Sequence, residues 1–151
     1  MAEPSETKTQ QVSVERTIAA PAATIFALLS DANQHHRFDG SGTVREASKA
    51  PVTLTLGSKF SMGMKWGVPY RTSNEVVEFE QDRRIAWCHF GKHRWRYELE
   101  PQPDGTTLVR ETFDWSTAAI PKVVELIGAP ARNRPAMVKT LERLEAVVTA
   151  D

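Results

Sequence analysis

The last stretch of the chain, Arg134 to Thr149, constrains the fold most. Met137, Val138, Leu141, Leu144, Val147 and Val148 recur at helical spacing, with Lys139, Glu142, Arg143 and Glu145 on the opposite side. Pro135 falls in the first turn, where its missing N–H is not needed, and Asn133 before it can cap. At ~1.5 Å per residue this is a rod of roughly 24 Å, about the width of a small domain. Its greasy stripe has to be covered. The upstream segments read as strands with one apolar face, so the pattern predicts a long terminal helix held by an antiparallel sheet.

Gln11–Ile18 alternates, placing Val12, Val14, Arg16 and Ile18 on one face. Ala20-Pro21 ends that strand and starts a helix whose apolar face is Ile25, Phe26, Leu28 and Leu29, and a second short helical piece spans Ala32–Phe38. Thr43–Glu46 is a weak strand. Phe60, Met62, Met64 and Trp66 alternate in a clearer one, and Tyr70–Glu80 is a long strand whose alternation slips at Val76-Val77, which predicts a bulge. Arg84–Glu100 reads as a hairpin. A three-residue loop, Phe90-Gly91-Lys92, would set His89 opposite His93 and Trp87 opposite Trp95, leaving one apolar face. A two-residue loop would pair Cys88 with Trp95 and turn Trp87 outward. Burial favours the former. Thr107–Trp115 is the last strand, Ala118–Gly128 a short helix, and Pro130 separates it from the terminal rod.

The run Ile18-Ala19-Ala20-Pro21-Ala22-Ala23-Thr24-Ile25-Phe26-Ala27-Leu28-Leu29-Ser30-Asp31 resembles the opening strand-to-helix signature of the START-like, helix-grip superfamily. That group includes the polyketide cyclase/dehydrase and birch-pollen-allergen relatives, collected under the name SRPBCC. Asn74–Phe79, Arg84–Trp87 and the terminal helix fit the same template, so the resemblance covers Gln11 to Val148. It implies an α+β helix-grip fold: a curved antiparallel sheet of about seven strands wrapped around a long C-terminal helix, with two short helices after the first strand. It also implies a cavity between sheet and helix. No family-wide catalytic residue exists to carry over.

Nineteen basic residues balance nineteen acidic ones, so the chain as a whole has no electrostatic footprint for nucleic acid or an anionic membrane. No apolar stretch approaches the ~20 residues of a membrane span. The polar Met1–Gln10 reads as a disordered tail ahead of one domain, 11–151, and the protein as cytoplasmic. A sole cysteine, Cys88, fits a reducing compartment and a packed, inert thiol. A homodimer is compatible with these features. No metal site or cofactor motif is present: there is no phosphate loop, dinucleotide fingerprint or serine elbow.

Alternation selects the residues that face inward. Phe60, Met62, Met64, Trp66, Tyr70, Trp87, Trp95, Tyr97, Phe113 and Trp115 are the candidate ligand-binding set, against the plainer reading of each as core. Polar residues on apolar faces are more informative, since burying one without a partner costs on the order of 1–3 kcal/mol. Arg16 and Glu111 are expected to meet across the ladder of first and last strands as a charge pair. His89, His93, Tyr97 and Glu111 are the candidates for acid/base chemistry, with His89 and His93 otherwise rim residues. His35 and His36 read as a solvated pair, of which only one could face a pocket mouth. Two functions follow: binding of a hydrophobic small molecule (lipid, polyketide or isoprenoid-like), or a polyketide cyclase/dehydratase-type reaction in the same cavity.

Overall fold

The computed structural model describes residues 10–31, 34–40, 44–48, 53–66, 68–88 and 91–150, with 44–48 and 61–72 described as backbone. Strands β1 (Gln11–Ile18), β2 (Val44–Ser48), β3 (Lys59–Trp66), β4 (Val68–Glu80), β5 (Arg84–Cys88), β6 (Arg94–Pro101) and β7 (Thr107–Asp114) form one antiparallel sheet in the order β1-β7-β6-β5-β4-β3-β2. Among the described residues four helices accompany it: α1 (Ala22–Leu29), α2 (His35–Phe38), α3 (Pro121–Leu126) and α4 (Ala129–Val148). The tail predicted over 1–10 lies outside the described residues except for Gln10.

The period-2 pattern decides the pairings. Trp87 faces Trp95 and Cys88 faces Arg94, the register that hides one apolar face. Cys88 itself is half-buried rather than enclosed. In β4 the pairing jumps from Val76–Trp87 to Glu78–Ala86, so Val77 is the extra residue of the predicted bulge. First and last strands are neighbours, with Val14 opposite Glu111 and Arg16 opposite Val109.

The terminal helix is longer than its apolar stripe suggests. It begins at Ala129, so Pro130 lies in its first turn instead of ahead of it, and Pro135 lies inside the helix. A proline there leaves one i→i−4 bond unmade near the start of a twenty-residue rod. Gly128, at φ 73°, makes the left-handed break between α3 and α4. Met137, Leu141 and Leu144 are buried in a core with Ile18, Leu29 and Val109. The rod lies against β1 and β7, while α1 reaches β6 and α2 meets β2 and the rod.

The turn after α2 is strapped to α4. The Gly40 N–H donates to Thr140 Oγ1 at 2.8 Å, and the Arg143 guanidinium donates to the carbonyls of Arg37, at 3.1 Å, and Asp39. These bonds place α2 over the sheet.

The outer face carries a polar lattice. Arg96 grips Glu78 with Nε and Nη2 at 2.9 and 2.8 Å and reaches Asp114 Oδ2 at 3.0 Å, while Arg94 adds a 2.6 Å bond to Glu78. Burial alone would raise both carboxyls, but hydrogen bonds outweigh it. Arg96 and Arg94 hold Glu78 below the ordinary carboxylate value, and Ser116 with Arg96 does so for Asp114. Replacing Arg96 by leucine would leave the nearly enclosed Asp114 without its cation. We expect it to lower unfolding free energy by about 2–3 kcal/mol, read from urea denaturation.

Candidate ligand site

The inner face of β5 and β6 meets α2 in a cluster of rings. His35 stacks on Trp87 with centroids 4.6 Å apart and planes 19° from parallel. Phe38 and Phe60 meet the His35 ring edge-on at 5.5 and 5.8 Å, and Tyr97 lies 5.6 Å from Trp87 and 6.4 Å from Phe38. All five side chains are buried. Further along the face, Phe113 lies between Trp95, at 4.7 Å, and Trp115, at 5.7 Å, with His93 at 5.2 Å.

Between the two ring clusters stands one polar pair. Tyr97 and Glu111 are register partners on β6 and β7, two residues from Trp95 and Phe113 respectively. The Tyr97 hydroxyl donates to Glu111 Oε2 at 3.0 Å; Glu111 Oε1 is buried with no hydrogen-bond partner. Burial pushes the Glu111 carboxyl up to about 8, with Asp39 repulsion adding to it and the Tyr97 bond opposing it. The Tyr97 hydroxyl is raised well above its usual value by burial first, then by the charges of Glu111 and Asp39.

His35 supplies a second buried polar edge. Its Nε2 lies 2.8 Å from the Leu29 carbonyl, which can only accept, so Nε2 carries the hydrogen and Nδ1 a bare lone pair. Nδ1 is buried without a partner. Burial lowers the His35 pKa to about 4, so the ring is neutral at pH 7.

Two expectations are overturned here. Arg16 and Glu111 do not pair: Arg16 is exposed and its Nε reaches Glu145 of α4 at 2.7 Å. The long guanidinium stem lets Arg16 leave the apolar face at the open edge of β1, whereas the short carboxylate of Glu111, one strand further in, cannot. His35 and His36 are not a solvated pair either. His35 is 3% exposed, because it shares a helical face with Phe38, three residues on, and that face turns to the sheet. This spacing was the available signal.

The remaining candidates divide by position. Phe60, Trp87, Tyr97 and Phe113 are buried on the inner face, and Trp95 and His93 are half-buried there. Burial lowers the His93 pKa. Trp115 is buried too, and its Nε1 donates to Glu125 Oε2 at 2.8 Å, so its polar edge points to α3. None of α3 is buried; Val123 and Leu126 within it, and Ile120 and Ile127 beside it, are exposed. His89 lies outside the described residues. So do the side chains of Met62, Met64, Trp66 and Tyr70, whose strand backbone alone is described.

A groove of about 240 Å³ lies elsewhere, lined by Glu80, Arg83, Arg84, Glu98, Glu100 and Arg110 with Leu99 and Leu108. Its charged walls suit no apolar guest, and it holds none of the predicted site residues. No helix among the described residues is long and apolar enough to cross a membrane.

Residues 9–149 match the family described as polyketide cyclase / dehydrase and lipid transport. The uncharacterized protein Rv0088 of Mycobacterium tuberculosis is 40% identical over 139 residues, which is 89% of this chain and 62% of that protein. The chain therefore spans under two-thirds of the length of that curated relative. Protein NE0264 from Nitrosomonas europaea superimposes with a TM-score of 0.71 at 15% identity, covering 94% of this chain and 96% of that one. The AHSA1-like protein from Aeromonas hydrophila gives 0.68 at 19% identity, covering 93% and 92%. At such identities the two structures share the helix-grip fold.

Proposed function

Because the chain belongs to the polyketide cyclase/dehydrase and lipid transport family, we propose that it binds a hydrophobic small molecule against the inner face of β5, β6 and β7, with His35 and Glu111, the latter held by Tyr97, at the guest's polar end. One observation carries this reading. Glu111 Oε1 and His35 Nδ1 are buried among aromatic rings with no hydrogen-bond partner, and native interiors leave few such atoms. A guest that supplied their partner would recover the roughly 1–3 kcal/mol that each unpaired group costs. The rings around them provide the apolar wall.

Mass spectrometry of an organic extract of the purified protein tests this, together with titration of the neutral dye Nile red. We expect a co-purifying apolar compound and saturable dye binding that the compound displaces. Tyr97→Phe and Glu111→Gln should remain folded and weaken the extracted compound by about 5- to 30-fold. A blank extract together with no saturable dye binding would end the proposal.

Glu111 also favours a second reading, a cyclase/dehydratase-type reaction. A carboxyl held to about 8 is protonated at pH 7 and can donate that proton to a leaving hydroxyl or a carbonyl oxygen. In that case Glu111→Gln would retain binding and lose about 10²–10⁴-fold in turnover of an accepted substrate. Binding and turnover falling together would instead assign Glu111 to holding the guest.

A further inference from the structure

Resting on the reading that the inner face takes a small molecule, we infer that the guest's polar end is an uncharged hydroxyl or carbonyl, and that carboxylates and phosphates are excluded. The geometry around Glu111 and His35 carries this. The Tyr97 hydroxyl is already spent on Glu111 Oε2, and His35 Nε2 on the Leu29 carbonyl. What remains for a guest is Glu111 Oε1 and His35 Nδ1, the two unpartnered atoms of the ring-lined interior. Nδ1 can only accept, so it suits a hydroxyl. Oε1 of a protonated carboxyl can donate, so it suits a carbonyl.

Among the described residues, charge closes the site to acids. No lysine or arginine whose side chain is described is buried. The most enclosed cation, Arg96, is committed to Glu78 and Asp114 on the outer face. An anion brought to Glu111 would find no counter-ion among the described residues. It would also meet the field of Asp39, which already acts on both Tyr97 and Glu111. A buried charge without a partner is strongly disfavoured. A neutral group loses far less water and gains a hydrogen bond.

Four probes of one ring size test this on the full chain at pH 7: naphthalene, 2-naphthol, 2-acetylnaphthalene and 2-naphthoate, titrated by tryptophan fluorescence. We expect the naphthol or the ketone to bind about 5- to 10-fold more tightly than naphthalene. We expect 2-naphthoate to bind about a hundredfold more weakly than the better of those two. Glu111→Leu should remove the ketone's advantage and leave naphthalene unchanged. Should that variant not fold, Glu111→Gln, a neutral isostere that keeps an N–H donor, should preserve the preference for ketone over acid. Equal or tighter binding of 2-naphthoate that Glu111→Gln alters overturns the inference and leaves the binding proposal standing. Probe binding that neither Glu111 variant alters lies elsewhere and counts against the inference. No binding by any of the four, with a blank organic extract, overturns both.

Discussion

Gly40→Ala is expected to cost about 3 kcal/mol or more of folding stability, seen as a fall of roughly 6–12 °C in Tm and a matching shift in the urea midpoint. A Cβ at Gly40 would stand 2.4 Å from the Ala136 carbonyl oxygen, 2.6 Å from the Thr140 nitrogen and 2.8 Å from Lys139 Cβ. The first two belong to the backbone of α4 and cannot rotate aside. The loop would have to lift off the helix, and the Gly40–Thr140 bond and the Arg143 bonds to Arg37 and Asp39 would go with it. Since those bonds position α2, the His35–Trp87 stack should loosen as well, visible as a change in near-ultraviolet circular dichroism. Gly105→Ala is the control. Nothing lies within 4 Å of its Cβ position, so its only cost is the left-handed backbone at φ +89°, about 1 kcal/mol. Equal effects of the two substitutions would show that the loop does not press on the helix.

The stability of the protein should be greatest between about pH 4.5 and 6.5 and fall on both sides, with Glu111 and His35 responsible for the two slopes. Glu111 goes from 4.5 in the unfolded chain to about 8 when folded. Between those values the native state holds a proton that the unfolded state has released, so stability declines as pH rises and levels off above about 8. Glu111 alone contributes a decline of roughly 5 kcal/mol, of which about 2 kcal/mol falls above pH 6.5, outside the interval that His35 offsets. His35 has the opposite sign. Its pKa drops from 6.5 to about 4, so the unfolded state gains a proton that the native state refuses, and stability falls as pH drops through that interval, by roughly 3 kcal/mol. Between 4.5 and 6.5 the two slopes cancel. Below that window the lowered carboxyls of Glu78 and Asp114 add to the acid loss, because their hydrogen bonds from Arg96 favour the ionised form. Urea midpoints from pH 4 to 9 test the profile. Glu111→Gln should flatten the alkaline limb and, by removing the slope that offsets His35, extend the acid limb up to about pH 6.5. An alkaline limb that persists in Glu111→Gln would mean that another group is responsible.

The outward-facing lattice and the inward-facing rings arise from the same strands, and the division between them is a matter of alternation. Arg94, Arg96 and Glu98 point one way along β6, and Trp95, Tyr97 and Leu99 the other. The latter face is hidden because a one-residue slip would expose it all. That logic made the Trp87–Trp95 pairing, the Val77 bulge and the β1–β7 adjacency legible, the last of these through the family resemblance. The same logic predicts which face a residue belongs to and says nothing of how far its side chain travels. Arg16 and Glu111 share a face by alternation, yet one ends at the surface on Glu145 and the other in the interior on Tyr97. His35 was obscured for a related reason. Its three-residue spacing from Phe38 marks a shared helical face, but whether that face is buried depends on where the Gly40 loop anchors the helix.

By itself, then, the order of residues determined which strands there are and the register of the β5–β6 hairpin, because periodicity is local and a wrong register would expose a whole apolar face. Which polar atoms lie inside without partners was decided only by the tertiary structure. Their burial depends on strand rank within the sheet, on the reach of each side chain and on a loop pressed against a helix a hundred residues away. These are distances set by the assembled fold, and no window of sequence contains them.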